Sequence, residues 1–462
     1  MDKGKNESAI VTLNAQEYLK NIMKISLIPI DETNREAVIA LSVCEDQPFV
    51  APNEYSLEQA DETNAKHPGV ARPFAVYADS RLVGFCMFAF APEAEDEDDR
   101  YWLWRFMIDK SEQGKGYGQA ALTEIIKYFR DNGADRLHLS TEPENEAGMH
   151  IYHKFGFRET GEIDGGEAEM MQFLNFEMQP CEEDDAEFFR EKIDEISDSI
   201  VPPAEGANDE YVFLKITDDD DNILGGCIME IDSWNIAELD ILWVDEKYRR
   251  QGLGSALIRE AERVAREKGC YAMTLGTFDF QARPLYEKHG YKVVGTIKDW
   301  PRGHENYSLM KRLDQPSPEY VPSNAVAYEI KPASGEEADI IDDGLGDYNH
   351  SQAPYEHEFI WLNKKVLDED GNLIAGIIAG VQGWNSAHIK MMWVDEEQRN
   401  RGIGTYLLSD FEREAKEKGA YKVILDALDW QMPFFEKHGY TICGTLEDCP
   451  KGHRWCQMQK LL

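Results

Sequence analysis

Paired cysteines are missing from this sequence. Its eight cysteines are scattered, with no C-x-x-C and no Cys/His spacing of a zinc site, so reduced, mostly structural thiols and no bound metal are expected. No apolar run approaches the roughly 20 residues that a bilayer-spanning helix needs. The opening MDKGKNESAI also lacks the apolar centre of a secretion signal, so a soluble, cytoplasmic protein is expected. The third deficit is basic charge: 48 Lys and Arg face 88 Asp and Glu, a net charge of -40. Such a field repels nucleic acid and anionic membrane surfaces and admits a cationic partner. Much of the acidic excess would serve equally well as a solvated surface.

What the chain does have is repetition. At 462 residues with 42% hydrophobic side chains it can fill about three cores. Three segments share one layout: YWLWRFMIDKSEQGKGYGQAALTEIIKYFRDNGADRLHLS from Tyr101, AELDILWVDEKYRRQGLGSALIREAERVAREKGCYAMTLGTF from Ala237, and AHIKMMWVDEEQRNRGIGTYLLSDFEREAKEKGAYKVILDAL from Ala387. Each reads as a strand, a glycine-punctuated turn, an amphipathic helix and a second strand. In the second copy Ala256, Leu257, Ala261, Val264 and Ala265 recur on one helical face before Gly269 ends the helix. A short helix follows, IYHKFGF, LYEKHGY or FFEKHGY, and then a Gly-Thr pair in the later copies and a last strand.

The second turn glycines, Gly116, Gly252 and Gly402, lie 136 and 150 residues apart, a domain-sized period. The expected organisation is an extension at residues 1–22, either a short extra helix or a disordered arm, then domains at 23–174, 175–313 and 326–462. A proline-bearing linker at 314–325 separates the last two.

The turns Gln113–Gly118, Arg249–Gly254 and Arg399–Gly404 each open a helix after a strand. Exposed backbone amides at a helix start, with glycines allowing close approach, make an anion cradle suited to a pyrophosphate. Lys115, Arg249, Arg250 and Arg399 can add positive charge. No G-K-[ST] follows, and the spacing of a dinucleotide fingerprint is absent.

Strand, Q/R-x-x-G-x-G, amphipathic helix, strand and L-Y-x-K-x-G-F/Y together resemble the GNAT superfamily of acetyl-coenzyme A (acetyl-CoA) dependent N-acetyltransferases, three times over. The resemblance implies an α/β (α+β) fold, each domain a mixed, mostly antiparallel sheet flanked by helices. It implies that Gln113, Gly114, Lys115, Gly116, Tyr117 and Gly118 hold the cofactor pyrophosphate in the first domain, and Arg249, Arg250, Gln251, Gly252, Leu253 and Gly254 in the second. Arg399, Gly402 and Gly404 are the matching third-domain positions. Backbone groups of Met107 and Ile108, Trp243 and Val244, and Trp393 and Val394 would hold the pantetheine. Tyr152 and Tyr286 match the tyrosine that protonates the departing thiolate, and Phe435 stands at that position in the third copy. Cys86 and Cys227 fall in predicted core strands, which disfavours a cysteine nucleophile.

The first domain further resembles bacterial spermine/spermidine N-acetyltransferases through QPFVAPNEYSLEQA, PENEAGMHIYHKFGF and TGEIDGGEAEM. That likeness implies Asn145 as a cofactor contact, with Gly148 where the N-x-x-A pattern has alanine. Glu54 and Glu58 are candidate ligands for a polyamine. The run EAEDEDD (93–99) is either a further ligand or a solvated hairpin tip. An ammonium acceptor has a pKa near about 10 and must lose a proton before attack. Glu238 and Asp240, two apart on one strand, offer either that base or a solvent-facing edge. Their third-copy counterparts are His388 and Lys390, so the third domain is expected to bind acetyl-CoA or merely to pack.

The expected function is acetyl transfer to a small cationic amine, spermidine or spermine first. An aminoglycoside-like or protein amine is the alternative acceptor. A coenzyme A binding or scaffold role for the later domains, with assembly into a homo-oligomer, is the alternative class.

Overall fold

The computed structural model describes residues 24–44, 47, 49–182, 184–316, 320, 322 and 328–462. The expected extension at 1–22 lies outside the described residues, as does part of the 314–325 linker. The chain resolves into two compact units. One is Met1–Met178 with Val366–Leu373 and Asn400–Ser409, the other Gln179–Lys365 with Ile374–Arg399 and Asp410–Leu462.

The first unit holds β1 (Ile25–Pro29), α1 (Arg35–Ile39), α2 (Asn53–Lys66), β2 (Ala71–Ala78), β3 (Arg81–Phe90) and β4 (Tyr101–Ile108). These are followed by α3 (Tyr117–Asp131), β5 (Arg136–Thr141), α4 (Glu146–Lys154), β6 (Arg158–Asp164) and β7 (Glu167–Phe173). The seven strands run in the order β1-β2-β3-β4-β5-β7-β6. All neighbours are antiparallel except β4 and β5, which meet in parallel at Trp102 and His138. The sequence of β3, RLVGFCMFAF, is almost wholly apolar because both faces of the sheet are covered. Phe85 and Met87 enter one core with Val38 and Leu57, while Cys86 and Phe88 enter the other with Leu122, Phe129 and Leu137. The acidic run before β4 folds back as a hairpin tip, where Glu97 and Asp98 pair with the buried Arg136 at 3.0 and 2.9 Å.

The remaining elements begin with β8 (Glu177–Pro180), α5 (Asp185–Ile200), β9 (Glu210–Thr217), β10 (Ile223–Ile231), β11 (Ile236–Val244), α6 (Leu253–Glu267), β12 (Ala272–Phe278), α7 (Arg283–Lys288), β13 (Lys292–Lys298) and β14 (Glu305–Arg312). The third copy supplies β15 (Ile330–Pro332), α8 (Gly335–Gln352), β16 (Ile360–Trp361), β17 (Lys364–Leu367), β18 (Leu373–Gln382), β19 (Ser386–Val394), α9 (Ile403–Glu417), β20 (Lys422–Leu428), α10 (Met432–Lys437), β21 (Thr441–Glu447) and β22 (Arg454–Leu461).

Strands of the second and third copies share one sheet in the order β15-β9-β10-β11-β12-β14-β13-β21-β22-β20-β19-β18-β17-β8. The joint between them is β13 beside β21, paired at Gly295 and Gly444. A Cβ on Gly295 would overlap the Gly444 backbone, so the close approach needs the glycine of each Gly-Thr pair.

The order also shows an exchange. β15 opens the third copy but pairs with β9 of the second, Ile330 opposite Ile216 and Pro332 opposite Leu214. The helix after it, α8, lies across β10 and β11, with Ile341 over Gly226 and Gly344 against the Trp243 indole. Reciprocally, α5 of the second copy packs on β19 of the third. Phe189 is fully buried over Gly376 and stacks on Trp393 at 6.0 Å, Phe188 meets the same indole edge-on at 5.5 Å, and Asp185 pairs with Lys365 at 3.0 Å. The two copies carry like sheet faces, Trp243 and Trp393 among them, so each face accepts the other's helix. Elements from either side of the 314–325 segment thus pack on the other copy's sheet.

Phe189→Ala would leave a cavity on the exchanged interface. It is expected to cost about 3–5 kcal/mol, read as a lower urea midpoint for one unfolding transition. A midpoint equal to wild type would show that the exchange contributes nothing to stability.

Candidate active site

In every copy one strand carries a single extra residue. Trp104 on β4 falls between the pairs Met87–Arg105 and Phe88–Leu103, Asp240 on β11 between Ile228–Ile241 and Met229–Leu239, and Lys390 on β19 between Ile378–Met391 and Ala379–Ile389. Such a bulge bends and twists its strand. The parallel ladder of β11 with β12 stops at Glu238 and Thr274, and that of β19 with β20 at Ile389 and Leu425. Past that point the backbone of β11, through Trp243 and Val244, faces a gap on its β12 side and keeps its pairing only with β10. Met107 and Ile108 hold the same positions at the end of β4, and Trp393 and Val394 at the end of β19.

The turn after each strand is fixed by its first residue. Gln113 Nε2 donates to the Ile108 carbonyl at 3.0 Å, Arg249 Nε to Val244 at 3.0 Å, and Arg399 Nε to Val394 at 3.1 Å. Glutamine and arginine alternate here because either supplies an N–H that clamps the turn to the strand end. Left-handed residues follow at alternate positions: Gly114 (φ 74°) and Gly116 (85°), Arg250 (62°) and Gly252 (94°), Asn400 (61°) and Gly402 (87°). The helices after Gly116 and Gly252 have no side-chain cap, so their first-turn amides remain available to an anion.

Lys115 is held by the Ser111 carbonyl at 2.7 Å and by Glu112 at 2.9 Å, and Gln251 donates to the Lys247 carbonyl at 3.1 Å. Tyr117 and Leu253 pack into their cores, and Gly118 and Gly254 lie one residue further into the helix. In the third turn, residues 400–409 meet other side chains of the first unit. Gly402 abuts Met171, Arg401 pairs with Asp135 at 3.5 Å, and the Tyr406 hydroxyl donates to the Gly156 carbonyl at 2.6 Å.

The short helix of each copy places one aromatic ring in one geometry. Tyr152 lies 5.9 Å from Phe157 at 66°, Tyr286 lies 6.0 Å from Tyr291 at 73°, and Phe435 lies 5.6 Å from Tyr440 at 71°. Burial pushes the Tyr152 hydroxyl up to about 12 and raises Tyr286 further. Asn145 caps α4, accepting from the Gly148 N–H at 3.0 Å and donating to Thr141 Oγ1 at 2.9 Å. A Cβ on residue 148 would overlap that amide, which accounts for the glycine. Glu54 and Glu58 are exposed, one turn apart on α2, and Trp102 and Trp104 stand where the second copy has Glu238 and Asp240. Cys86 and Cys227 are fully buried.

Within the second unit a cavity of about 1210 Å³ runs from Arg249, Gly252 and Gly254 past Tyr286 to a group of carboxylates. Glu238 and Asp240 stand on its wall together. Sequence reasoning missed three more: Glu230, Asp232 and, from the third copy, Asp426. A charge within the apolar strand KVILDAL, where the second copy has Gly276, was the available signal for Asp426.

Glu238, Asp240 and Asp426 are exposed side chains that line the cavity, and among the described residues none of the three has an ion-pair partner. Desolvation, then Asp240, Asp426, Glu230 and Asp232, pushes Glu238 up to about 8. Desolvation raises Asp240 and Asp426 to about 6 each, with Glu230 and Asp342 adding to Asp240. Asp232 also rises to about 6 by desolvation, although it accepts from the amides of Trp234 and Ile236. At the third copy's own positions His388 is half-buried and held by desolvation to about 4, hence neutral, and Lys390 lies over the Trp361 ring at 4.9 Å.

An α/β domain that parts two parallel strands beside an amide cradle and a buried tyrosine is built for acyl transfer from an anionic carrier. The model of the Acetyltransferase (GNAT) family matches residues 38–157, 169–291 and 329–440, and the chain belongs to that family as an N-acetyltransferase with three such domains. The chain is 32% identical over 157 residues to the spermine/spermidine N(1)-acetyltransferase of Bacillus subtilis (strain 168), covering 33% of this chain and 100% of that protein, and the similarity belongs to the first domain. It is 40% identical over 92 residues to the blasticidin-S acetyltransferase of Streptomyces morookaense, 20% of this chain and 67% of that one. Among solved structures, an acetyltransferase from Bacillus cereus ATCC 14579 is 33% identical, covering 29% of this chain and 95% of that one, with a TM-score of 0.27. Among the described residues no helix is long and apolar enough to cross a membrane.

Because the Glu238 carboxyl is raised in the fold, its contribution to stability is most favourable below the unfolded carboxylate range and is lost as pH rises through about 8. Glu238→Gln is expected to raise the thermal midpoint, most of all above pH 8, in differential scanning calorimetry. An unchanged or lower midpoint at pH 9 would contradict the crowding of charge at this wall.

Proposed function

We propose that the protein transfers the acetyl group of acetyl-CoA to a primary amine of a small cationic acceptor, spermidine or spermine, within a ternary complex. The observation that carries the reading is the second copy's cavity, which brings an amide cradle, an unpaired strand edge, Tyr286 and two carboxylates into one space. The cradle fits a pyrophosphate, and the free backbone at Trp243 and Val244 fits the amides of pantetheine. Acetyl-CoA, when bound, supplies the acetyl thioester. Glu238, with Asp240 beside it, takes a proton from the acceptor ammonium, its raised pKa making it a stronger base than an ordinary carboxylate. Tyr286 keeps its proton at neutral pH and donates it to the departing sulfur.

In the first copy Tyr152 has the same role, Met107, Ile108 and the Gln113–Gly118 turn hold the cofactor, and Glu54 and Glu58 attract the acceptor. The acidic acceptor end and the likeness of the first domain to a spermine/spermidine acetyltransferase both support a polyamine. The third copy, with Phe435, a neutral His388 and Lys390, carries no acid or base for the step. The blasticidin-S relative favours an antibiotic amine as the second reading of the acceptor.

Turnover of spermidine, spermine and an antibiotic amine by Tyr152→Phe, Tyr286→Phe and the double variant tests this reading. Each single variant is expected to keep part of the spermidine activity, and the double to lose about 10²–10⁴-fold. In the Tyr152→Phe background kcat/KM should rise with pH through about 8, a limb that Glu238→Gln removes. Wild-type turnover in the double variant would refute the assignment of both tyrosines.

A further inference from the structure

The third copy keeps the frame of the family without its acid, and the cavity shows what the frame is used for. Beyond Tyr286 the wall is made by strands of the third copy: Asp426 from β20 and, from β22, Trp455 and Gln457. The β13–β21 joint sets these strands against the second copy, and Asp426 pairs across the ladder with Gln457. Among the described residues the Asp426 carboxylate has no hydrogen-bond or ion-pair partner, and its exposed side chain lines this space. The basic residues on the wall, Arg249, Arg250 and Lys288, belong to the glycine turn and the tyrosine helix, and Arg249 is committed to the Val244 carbonyl. Apart from Lys288, the charged groups on the wall outside the glycine turn are Glu230, Asp232, Glu238, Asp240 and Asp426, all acidic.

Resting on the function proposed above, we infer that the third copy forms the acceptor end of the second copy's site, and that Asp426 binds a second ammonium group of a di- or polyamine. Glu238 and Asp240 sit at the transfer point on β11, and Asp426 stands on a strand of the other copy. The cavity thus offers anionic groups on two walls. A monoamine compensates only one of them and leaves the other without a counterion. A chain with two ammonium groups compensates both, and its methylenes lie against Trp300 and Trp455. Asp426 is a specificity residue here and takes no part in proton transfer.

The test uses the full chain carrying Tyr152→Phe, so that turnover reports the second site. Asp426→Asn is expected to raise the KM for spermidine about 10- to 100-fold, the range for losing a hydrogen bond to a charged group. The kcat should be little changed and the KM for propylamine unaffected, and Asp426→Glu should recover most of the loss. Calorimetric titration with spermidine in the presence of coenzyme A should show one binding equivalent weakened by Asp426→Asn.

Unchanged spermidine KM and binding in Asp426→Asn, with turnover still abolished by Tyr286→Phe, would overturn this inference and leave the proposed chemistry standing. Absence of turnover in Tyr152→Phe would instead refute catalysis by the second copy, and the spermidine titration would still decide whether Asp426 binds the acceptor.

Discussion

The parting of β11 from β12 after Glu238 and Thr274 governs the rest of the second site. Unpaired backbone inside a protein is unfavourable unless water or a ligand satisfies it, so a sheet does not open this way without support. Here the support is local. The Asp240 bulge turns the strand, Arg249 clamps the following turn to Val244, and the turn delivers a helix whose first amides are uncapped. The bulge and the clamp recur around Trp104 and Gln113 and around Lys390 and Arg399, and the uncapped helix start recurs after Gly116. They are properties of the fold and are separable from the residues that perform chemistry on it.

That separation explains how the third copy can lose a hydroxyl and two carboxylates while keeping its shape. Phe435 occupies the same angle against Tyr440 that Tyr286 takes against Tyr291, because the ring is a packing unit before it is an acid. The exchange of opening elements gives the third copy a structural task that does not depend on catalysis. β15 completes the sheet edge at β9, and α8 covers Trp243 at the cofactor end of the second site. Tyr348 and Asn349 of α8 also reach the cavity, the first donating to the Phe280 carbonyl and the second accepting from Gln281.

Local order was readable from the chain alone. The glycine turns, the amphipathic helices and the aromatic position repeat at fixed offsets, and each depends on residues within one supersecondary unit. The exchange was not readable, because the second and third copies present such similar faces that α5 and α8 have no local signal for which sheet to choose. Asp426 was hidden for a related reason: Glu238 and Asp240, with which it lines the cavity, lie 188 and 186 residues away in sequence, on the other side of the β13–β21 joint. The clamping hydrogen bonds that Gln113, Arg249 and Arg399 make to the strand ends were not readable from the chain, since the identity of a donor says nothing of which acceptor is nearer. Nor was the cap that Asn145 forms on α4.

The acidic composition shows why partner status outweighs count. Glu97 and Asp98 belong to the densest run of acid in the sequence, and both are neutralised by Arg136. Glu238, Asp240 and Asp426 stand outside that run, yet they line one cavity together with Tyr286 and, among the described residues, have no ion-pair partner. Desolvation and mutual repulsion disfavour their charged forms, and a bound cation relieves both effects at once. In the reaction proposed above, that relief is the source of affinity for an ammonium acceptor, and Glu238, already raised, is the carboxylate proposed to receive its proton. On that reading acceptor selection and base strength follow from a single arrangement of charge.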